Sequence, residues 1–411
     1  MSRLYETDSY IRELRTLVTA SGTDDKGRYY AELEDTLFFP EEGGQNADTG
    51  VLSFAGPDGD KSVRVLGGII SGRNTCSSVS DTDEIRIRYI VSEPVPQGTQ
   101  VLCKLDWDIR FDRMQNHSGE HILSGIMHSE FGVDNVGFHL SDDGPVTLDF
   151  NRQLSYEDVI RAQNEANMAI YANLPVSVSF PAKEELKDLD YRSKIDIDGQ
   201  VRLVTIGDEE RTVDVCACCA PHVAHTGEIG ILKVLSVVNW KGGIRVSILC
   251  GRRALEYINR EHDILAETAR SMSTETVNVP EFVDSYRKEI TDLKSELASV
   301  MEKALLEKVI SMADDPSGLH LIITGDDIPA PVMKNVYNAL TEKFDGFVGV
   351  FAGDDETGYR YNAGSRDRDS RELAALMRDK LSAKGGGSAE MIQGKVQASQ
   401  EAIKELFESV K

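Results

Sequence analysis

Apolar and polar residues alternate over short segments in the first hundred residues of this chain, as they do in half-buried strands. The clearest alternation runs from Ile85 to Val91 and is followed by a turn signal at Pro94-Val-Pro-Gln-Gly98. Before these segments, the stretch from Ser9 to Val18 is helix-like. We therefore expect residues 1–105 to form a small β barrel, or a β sandwich, that opens with a short helix.

A helical period begins after Asp106. Between Arg113 and Phe131, one stripe of the expected helix carries five side chains: Met114, His117, His121, Ser124 and His128. The segment Ser155-Tyr-Glu-Asp158 has the pattern of a capping box at the start of a second helix. After it, the apolar segments before and after Asn239-Trp-Lys-Gly-Gly243 are expected to pair as a hairpin. Two helices packed on an antiparallel sheet predict an α+β domain over residues 106–255.

The rest of the chain is expected to contain a helical arm and a small α/β domain, so that the whole chain is of the α+β class. Over residues 256–315, apolar positions step by three and four along one seam: Val283, Tyr286, Ile290, Leu293, Leu297, Val300 and Ala304. This seam predicts a coiled coil or a helical hairpin, which either joins two copies of the chain or packs within one copy. Residues 316–411 alternate strands and helices, and the glycines at 385–387 are candidates for holding a phosphate where a helix starts.

Length, composition and charge narrow the class of protein. A chain of 411 residues is long enough for two to four domains. It contains no apolar run near the ~20 residues that cross a bilayer, and its N-terminus lacks the pattern of a signal peptide, so we expect a soluble cytoplasmic protein without a membrane partner. Because the net charge is −24, any nucleic-acid partner would require a local basic patch on an acidic body.

Two clusters of metal-ligating residues stand about a hundred residues apart. His117 and His121 are four residues apart, so a helix would project both imidazoles from one face, and Cys218 and His222 repeat that spacing. Three imidazoles and one thiolate make a tetrahedral N/S set that suits one zinc ion per chain. Cys216 or Cys219 could replace Cys218 as the sulfur ligand. The spacing leaves open whether the zinc is structural or catalytic, and a rim formed by Gln45 and His139 would favour chemistry.

The stretch from His117 to His121 also fits H-x-x-E-H, the inverted signature of zinc proteases. In that interpretation Glu120 is the general base, and the third ligand is a downstream carboxylate such as Glu184 or Glu185. The cysteine cluster would then have no role.

Three ordered motifs resemble the editing domain of alanyl-tRNA synthetases and of the free-standing alanyl-tRNA editing proteins of the AlaX type. They are Phe39-Pro-Glu-Glu-Gly-Gly-Gln45-x-x-Asp48-x-Gly50, Asn116-His-Ser-Gly-Glu-His-Ile-Leu-Ser124, and Cys218-Cys-Ala-Pro-His-Val-Ala-His-Thr-Gly-Glu-Ile-Gly230. Together they cover about residues 28–250. The tail, with Gly385-Gly-Gly-Ser and Gln393-Gly, is similar to the DHH-associated domain that follows the editing domain in long AlaX proteins.

The resemblance implies a trans-editing deacylase that hydrolyses the ester joining serine or glycine to tRNA(Ala), without a nucleotide cofactor. It implies His117, His121, Cys218 and His222 as zinc ligands, and Gly43, Gly44 and Gln45 as part of the substrate pocket, with His139 at its rim. Gln45, His117 and Cys218 are then the residues closest to the chemistry. Because a pocket cannot reject the smaller alanine by size, discrimination would use the serine hydroxyl.

Two departures from the family pattern bear on specificity and rate. The family's glycine run is often three residues long, whereas Glu42 precedes Gly43 here. The residues between Cys218 and His222 are Cys-Ala-Pro, where the synthetase commonly has Gly-Gly-Thr. The competing hypothesis is a tRNA-binding or assembly module in which the zinc is purely structural.

Overall fold

The computed structural model of the chain describes residues 2–57, 59–71, 86–142, 144–193, 200–312, 318–325 and 327–411. Cα packing divides the chain into two compact units, Met1–Ile264 and Leu265–Lys411. Both units contain helices and β-strands, so the expected mixed α+β class is confirmed. Among the described residues, no helix combines the length and apolarity that a membrane span requires.

The first eight strands of the chain build a closed barrel and a short parallel ladder beside it. The strands are β1 (Ser2–Arg3), β2 (Glu13–Thr23), β3 (Tyr29–Leu33), β4 (Asp35–Thr36), β5 (Gly50–Gly56), β6 (Gly59–Ser71), β7 (Arg86–Val91) and β8 (Gln100–Leu105). The barrel has the order β2-β3-β7-β6-β5-β8, and β1 pairs with β4 in parallel. The alternation predicted from Ile85 to Val91 falls on β7, although Ile85 itself lies outside the described residues.

The helix expected from Ser9 to Val18 is wrong, because most of that stretch belongs to β2. Thr16 and Val18 are buried there, and Leu17 between them is half-buried. This strand pairs with β8 along its first half and with β3 along its second half. Ladder hydrogen bonds on both edges outweigh a local helix preference, which is a weak term.

The second part of the first unit packs two helices on an antiparallel sheet. The helices are α1 (Trp107–Phe131) and α2 (Tyr156–Tyr171), and the sheet strands are β9 (Asn135–His139), β10 (Val146–Phe150), β14 (Leu232–Trp240) and β15 (Gly243–Cys250), in the order β14-β15-β10-β9. The predicted capping box is present, since the Ser155 hydroxyl accepts from the Asp158 N–H and the Asp158 carboxylate accepts from the Ser155 N–H. A second sheet contains β11 (Val176–Ser179), β12 (Leu203–Gly207) and β13 (Thr212–Ala217).

One apolar core joins α1, α2 and the inner face of the four-stranded sheet. Ile244, Val246 and Ile248 of β15 alternate into this core together with Val146, Leu148 and Phe150 of β10. The core fixes the turn of α1 that carries the histidines, because Ile122, Leu123 and Ile126 on the same helix are buried in it. The metal-ligating residues on α1 are therefore held by packing as well as by their own helix.

The helix α3 (Gly251–Ser271) contains the division between the units, and the second unit follows it. Its further helices are α4 (Val279–Ser311), α5 (Ala330–Lys343), α6 (Ser370–Leu381) and α7 (Gln400–Glu408), and its strands are β16 (Leu321–Thr324), β17 (Val348–Asp354), β18 (Gly358–Gly364), β19 (Lys384–Gly387) and β20 (Met391–Val396). The five strands form one sheet in the order β16-β17-β18-β20-β19. Short 3-10 turns occur at Leu4–Glu6, Glu185–Lys187, Thr226–Ile229 and Thr276–Asn278.

The triple glycine and the apolar seam both lie in the second unit. The triple glycine does not start a helix, because Lys384–Gly387 is a strand that pairs with β20. The phosphate-holding helix start proposed there is therefore wrong. The seam residues from Tyr286 to Val300 lie on the single long helix α4, and Tyr286, Ile290, Leu293, Leu297 and Val300 are each 42 to 59% exposed. They stay exposed in this chain instead of packing within it.

Candidate functional site

The four residues predicted as zinc ligands lie together in the first unit. His117 and His121 project from α1, and Cys218 and His222 come from the loop after β13. One ligand atom from each of the four lies within 4.8 Å of the others. The three histidines are 3% exposed or less, so the cluster is shielded from bulk solvent. The structure thus brings the two sequence clusters to one place.

Each imidazole is oriented by a hydrogen bond at Nδ1. His117 Nδ1 lies 2.7 Å from Gln45 Oε1. His121 Nδ1 lies 3.0 Å from Asp214 Oδ2, and His222 Nδ1 lies 3.0 Å from Ser118 Oγ. When Nδ1 donates its proton to an oxygen, Nε2 is left with the lone pair that binds a metal.

The spacing of the ligand atoms fits a tetrahedral zinc ion. Bond lengths of ~2.3 Å to sulfur and ~2.05 Å to nitrogen place the two ligand atoms about 3.5 Å apart in a tetrahedron. Cys218 Sγ lies 3.4 Å from His222 Nε2 and 3.7 Å from His117 Nε2. Three nitrogens and one sulfur at these separations suit zinc better than the oxygen-preferring ions Mg²⁺ and Ca²⁺.

The electrostatics around Cys218 and His222 favour the protonation states that metal ligands need. Burial alone would raise the pKa of the Cys218 thiol, but the neighbouring His117 and His222 hold it well below its usual value. Burial lowers the pKa of His222 to about 3, against the opposing effect of Cys218. A thiolate beside a neutral imidazole is the form in which both residues bind zinc.

Asp214 and Arg192 support His121 from the side away from the ligand atoms. Burial would raise the pKa of Asp214, but hydrogen bonds from His121 and Arg192 outweigh it and lower the pKa. Arg192 binds the carboxylate through two nitrogens, at 2.7 and 2.8 Å. Burial would lower the pKa of His121, yet its interactions with Cys216 and Glu120 and the hydrogen bond to Asp214 raise it well above its usual value. The carboxylates of Glu120 and Asp214, which favour a proton on His121, would also stabilise a metal cation bound beside it.

A tight turn delivers Gln45 to His117. Glu42 and Gln45 exchange backbone hydrogen bonds of 3.2 and 3.0 Å across the two glycines between them. Gly43 and Gly44 have φ values of +60° and +84°, the left-handed backbone that a two-residue turn of this kind requires. At Gly44 a Cβ would lie 2.6 Å from the Phe138 carbonyl oxygen, so only glycine fits there. The Leu140 N–H donates to the Gly44 carbonyl at 2.9 Å and fixes the turn against β9.

The rest of the glycine-rich motif is fixed to α1 by buried charge. Asp48 accepts hydrogen bonds from the Phe39 N–H and from Arg110, whose side chain is fully buried. The same guanidinium donates to the Leu37 carbonyl at 2.6 Å, and Arg113 donates to the Ala47 carbonyl at 2.7 Å. Asp48 and its two arginines therefore set the distance between the barrel loop and the helix that carries the histidines.

Gln45 and Phe138 border the cluster, whereas His139 does not. The Gln45 side chain is 1% exposed, and its Nε2 has no hydrogen-bond partner among the residues that the structure describes. The Phe138 ring lies 4.6 Å from the His117 ring, centroid to centroid. His139, which was expected at the rim, follows Phe138 on β9, points to the opposite face and is exposed. The structure does not bring His139 into the pocket.

Glu120 reaches the ligand side of the cluster from the same turn of α1. One carboxylate oxygen accepts from Ser124 at 2.8 Å and from Asn135 at 2.6 Å. The other lies 3.7 Å from His121 Nε2 and 4.0 Å from His117 Nε2. The protease interpretation is not favoured, because Glu184 and Glu185 are exposed at a short 3-10 turn and are not part of the cluster, whereas Cys218 and His222 are.

The other two cysteines of the cluster occupy different places. Cys216 lies with His121 and Asp214 on the Nδ1 side of the imidazole, and burial raises the pKa of its thiol to about 11. Cys219 packs with Tyr5 and Phe39. Of the three sulfurs, the structure places that of Cys218 among the three histidine nitrogens.

Arg202 fixes the loop that carries Cys218. Its guanidinium donates to the Cys218 carbonyl at 2.7 Å and to the Ala220 carbonyl at 3.0 Å. Arg192, Arg202 and Asp214 were not expected from the sequence. They carry no ligand spacing and reach the site only through the fold.

One segment of the candidate site matches the model of a known protein family. A family model described as the threonyl and alanyl tRNA synthetase second additional domain matches residues 201–246, which include Cys218 and His222. The matched segment contains two of the four candidate metal ligands.

The relatives give the particular group. The chain is 28% identical over 421 aligned residues to the alanyl-tRNA editing protein AlaX-L of Pyrococcus horikoshii, which covers 98% of this chain and 96% of that protein. It is 27% identical to the alanine–tRNA ligase of Methanoregula boonei over 378 residues and 26% identical to that of Pyrobaculum neutrophilum over 414 residues. Those matches cover 39% and 44% of the ligases, so the chain spans about two fifths of them. The resemblance to alanyl-tRNA editing proteins that the motifs predicted is confirmed.

Proposed function

We propose that this chain is an ester hydrolase that removes a wrong amino acid, serine or glycine, from tRNA(Ala). The observation that carries the proposal is the convergence of three Nε2 atoms and one thiolate beside a buried glutamine amide. The near full-length likeness to an alanyl-tRNA editing protein supports the same substrate class. His117, His121, Cys218 and His222 would hold one zinc ion, which would supply Lewis-acid polarisation of an ester or of water.

The remaining residues would position the ester and exclude solvent. Gln45 would hold His117 through Oε1 and offer the N–H groups of Nε2 to the substrate. Phe138 would close one side of the pocket against the His117 ring. Glu120 would orient a water molecule through its Oε2 atom, which lies close to the Nε2 atoms of His117 and His121. An aminoacyl ester is already activated, so orientation and electrostatics can supply most of the rate.

Selection of serine over alanine would use the unpartnered donor of Gln45. A buried donor without a partner costs about 1–3 kcal/mol, which a bound serine hydroxyl would recover and an alanine methyl would not. Glycine would enter the same pocket without that hydrogen bond. The expected order of rates is therefore serine first, with glycine and alanine behind it.

The four-part organisation gives each segment a role in this proposal. The barrel of residues 1–105 would supply the glycine-rich loop, and residues 106–255 would form the editing domain. The arm of residues 256–315 would join two copies through the exposed seam on α4. Residues 316–411 would extend the contact with tRNA, and the protein would act in the cytoplasm.

The test is deacylation of Ser-tRNA(Ala) together with the metal content of the same samples. We expect Cys218→Ala to lose both zinc and activity, and Gln45→Ala to keep zinc but lose at least about tenfold in kcat/KM, the size of a lost hydrogen bond to the reacting group. Four protein ligands also suit a purely structural zinc. Wild-type protein that binds zinc stoichiometrically and leaves Ser-tRNA(Ala) intact would establish that role and end the proposal.

A further inference from the structure

An exposed tryptophan occupies the tip of the β14–β15 hairpin, away from the metal cluster. Trp240 pairs with Gly243 as the last residue of β14, and its side chain is 37% exposed. Val238, on the same strand, is 49% exposed. The hydrophobic core on the inner face of the sheet does not include these two residues. Tryptophan is enriched at contact surfaces, because it combines a large apolar ring with a polar N–H.

The indole is held in place before any partner arrives. The Arg245 guanidinium lies 3.9 Å from the Trp240 ring centroid. Arg245 is itself fixed by Asp149 through two hydrogen bonds of 2.6 and 2.8 Å. An aromatic side chain fixed in this way loses little conformational entropy when a second flat group stacks on it.

The turn that follows Trp240 carries a lysine where the fold disfavours one. Lys241 and Gly242 form the two-residue turn, and Lys241 has a φ of +45°. Asparagine, aspartate or glycine fits this left-handed position at lower cost than lysine. Lys241 Nζ lies 5.5 Å from the Trp240 ring centroid, so the strained position places a cation beside the exposed ring.

A further cation flanks the tip from the neighbouring strand. The exposed Arg152 lies two residues after the end of β10, and its backbone N–H lies against Gly243, where a Cβ would meet it at 2.9 Å. Neither Arg152 nor Lys241 forms an ion pair within the described part of the chain. With Arg245 and Asp149 the tip carries three positive charges and one negative charge, a net +2 on a chain of net charge −24.

We propose that this tryptophan tip, defined by Arg152, Trp240, Lys241 and Arg245, binds an unpaired nucleotide of the RNA substrate. A base would stack on the indole, and Lys241 and Arg152 would contact the adjoining phosphates. Aromatic stacking combined with flanking cations is how proteins hold single-stranded nucleic acid. The tip also supplies the local basic patch that an acidic chain needs for RNA. The identity of the RNA rests on the proposed function, whereas the stacking site rests on the geometry of the tip.

The chain offers a direct reporter, because it has two tryptophans and the other, Trp107, is stacked on Phe111 and covered by Arg12. Full-length Trp107→Phe protein isolates the fluorescence of Trp240, and Trp240→Phe protein isolates that of Trp107. With uncharged tRNA(Ala) as the probe, we expect quenching in the first protein and none in the second. Trp240→Ala should bind the tRNA about 5- to 150-fold more weakly, the range measured for removing one base-stacking ring.

Lys241→Asn separates loss of charge from loss of folding, since asparagine suits the turn better than lysine does. This variant should be at least as thermally stable as the wild type, bind tRNA(Ala) more weakly, and lower the slope of log affinity against log salt by about one. Unchanged Trp240 fluorescence at saturating tRNA, or wild-type affinity and salt slope in Lys241→Asn, would overturn the proposal. Quenching that rises with protein concentration in the absence of RNA would also overturn it, because the tip would then join two copies of the chain.

Deacylation of Ser-tRNA(Ala), measured on the same proteins, keeps the two proposals apart. If the wild type hydrolyses the ester but Trp240 takes no part in binding, only the tip proposal falls. If Trp240 is quenched by tRNA but no ester is hydrolysed, the proposed activity falls and the RNA site remains.

Discussion

Replacing Gly44 by alanine tests whether the glycine turn positions Gln45, which we propose contacts the ester. The backbone there has a φ of +84°, where a non-glycine residue costs roughly 1–2 kcal/mol. In addition, the new Cβ would lie 2.6 Å from the Phe138 carbonyl oxygen, whereas ordinary contact begins at 3.4 Å. The loop and β9 must therefore separate by about 0.8 Å, which weakens the hydrogen bond from Leu140 to Gly44.

This displacement acts on Gln45, the next residue. A shift of about 1 Å at a positioning group can lower the rate on the order of a hundredfold, so we expect Gly44→Ala to lose about that factor in kcat/KM for Ser-tRNA(Ala). Zinc content should remain stoichiometric, because none of the four ligands is on the loop. Single-turnover deacylation and metal analysis of the purified variant measure both quantities.

Gly43→Ala is the matched control. Its φ of +60° carries similar strain, but the nearest atom to the new Cβ is Cys219 Sγ at 3.9 Å, an ordinary contact. This variant should lose a comparable amount of thermal stability and much less activity. If Gly43→Ala and Gly44→Ala deacylate at the same rate, the argument from the Phe138 contact is refuted.

The remaining predictions concern the supports of the site and the helical arm. Asp48→Asn should lower the free energy of unfolding by about 3–5 kcal/mol in thermal or urea denaturation, because it leaves the buried Arg110 without its counter-charge. Asp142→Asn, at a partly exposed ion pair, is the control and should lower it by about 1 kcal/mol or less. Equal losses in the two variants would contradict the role of burial. Asp214→Asn should weaken zinc binding about 10- to 100-fold in competition with a chelator, as expected when the carboxylate charge behind a candidate ligand histidine is lost. Because the pKa of Asp214 is lowered in the folded state, its carboxylate stabilises the fold above about pH 4, and this contribution is lost as the pH falls further. The melting temperature of the wild type should therefore fall more steeply with acid than that of Asp214→Asn. Parallel curves of melting temperature against pH would contradict this argument. Leu293→Glu should convert a dimer to a monomer in sedimentation velocity, and a wild type that already sediments as a monomer would remove the association role of the seam.

The sequence could identify the four candidate metal ligands because their spacing is a local property. His117 and His121 are four positions apart on one helix, so both side chains point in the same direction. Cys218 and His222 are also four positions apart. The supporting groups could not be predicted in the same way. Asp214 lies 93 residues from His121, and its contact depends on how β13 packs beside α1.

Two expectations failed for reasons that only the tertiary structure supplies. The side chain that β9 presents to the site depends on the tertiary structure, because a bulge at Val136 interrupts the pairing with β10, and Phe138 rather than the exposed His139 packs on the His117 ring. The Ser9–Val18 stretch has a helix-like composition, yet barrel closure requires a strand that pairs on both edges. In each case a long-range pairing outweighed the local pattern.

Hydrolysis of tRNA(Ala) charged with serine, glycine or alanine, by one zinc-loaded preparation, tests the central claim most directly. The site predicts that Ser-tRNA(Ala) is deacylated fastest, and that Gln45→Ala removes most of the difference between serine and alanine. Equal rates for Ser-tRNA(Ala) and Ala-tRNA(Ala) in the wild type, or a serine preference that persists in Gln45→Ala, would contradict the assignment of discrimination to the Gln45 amide.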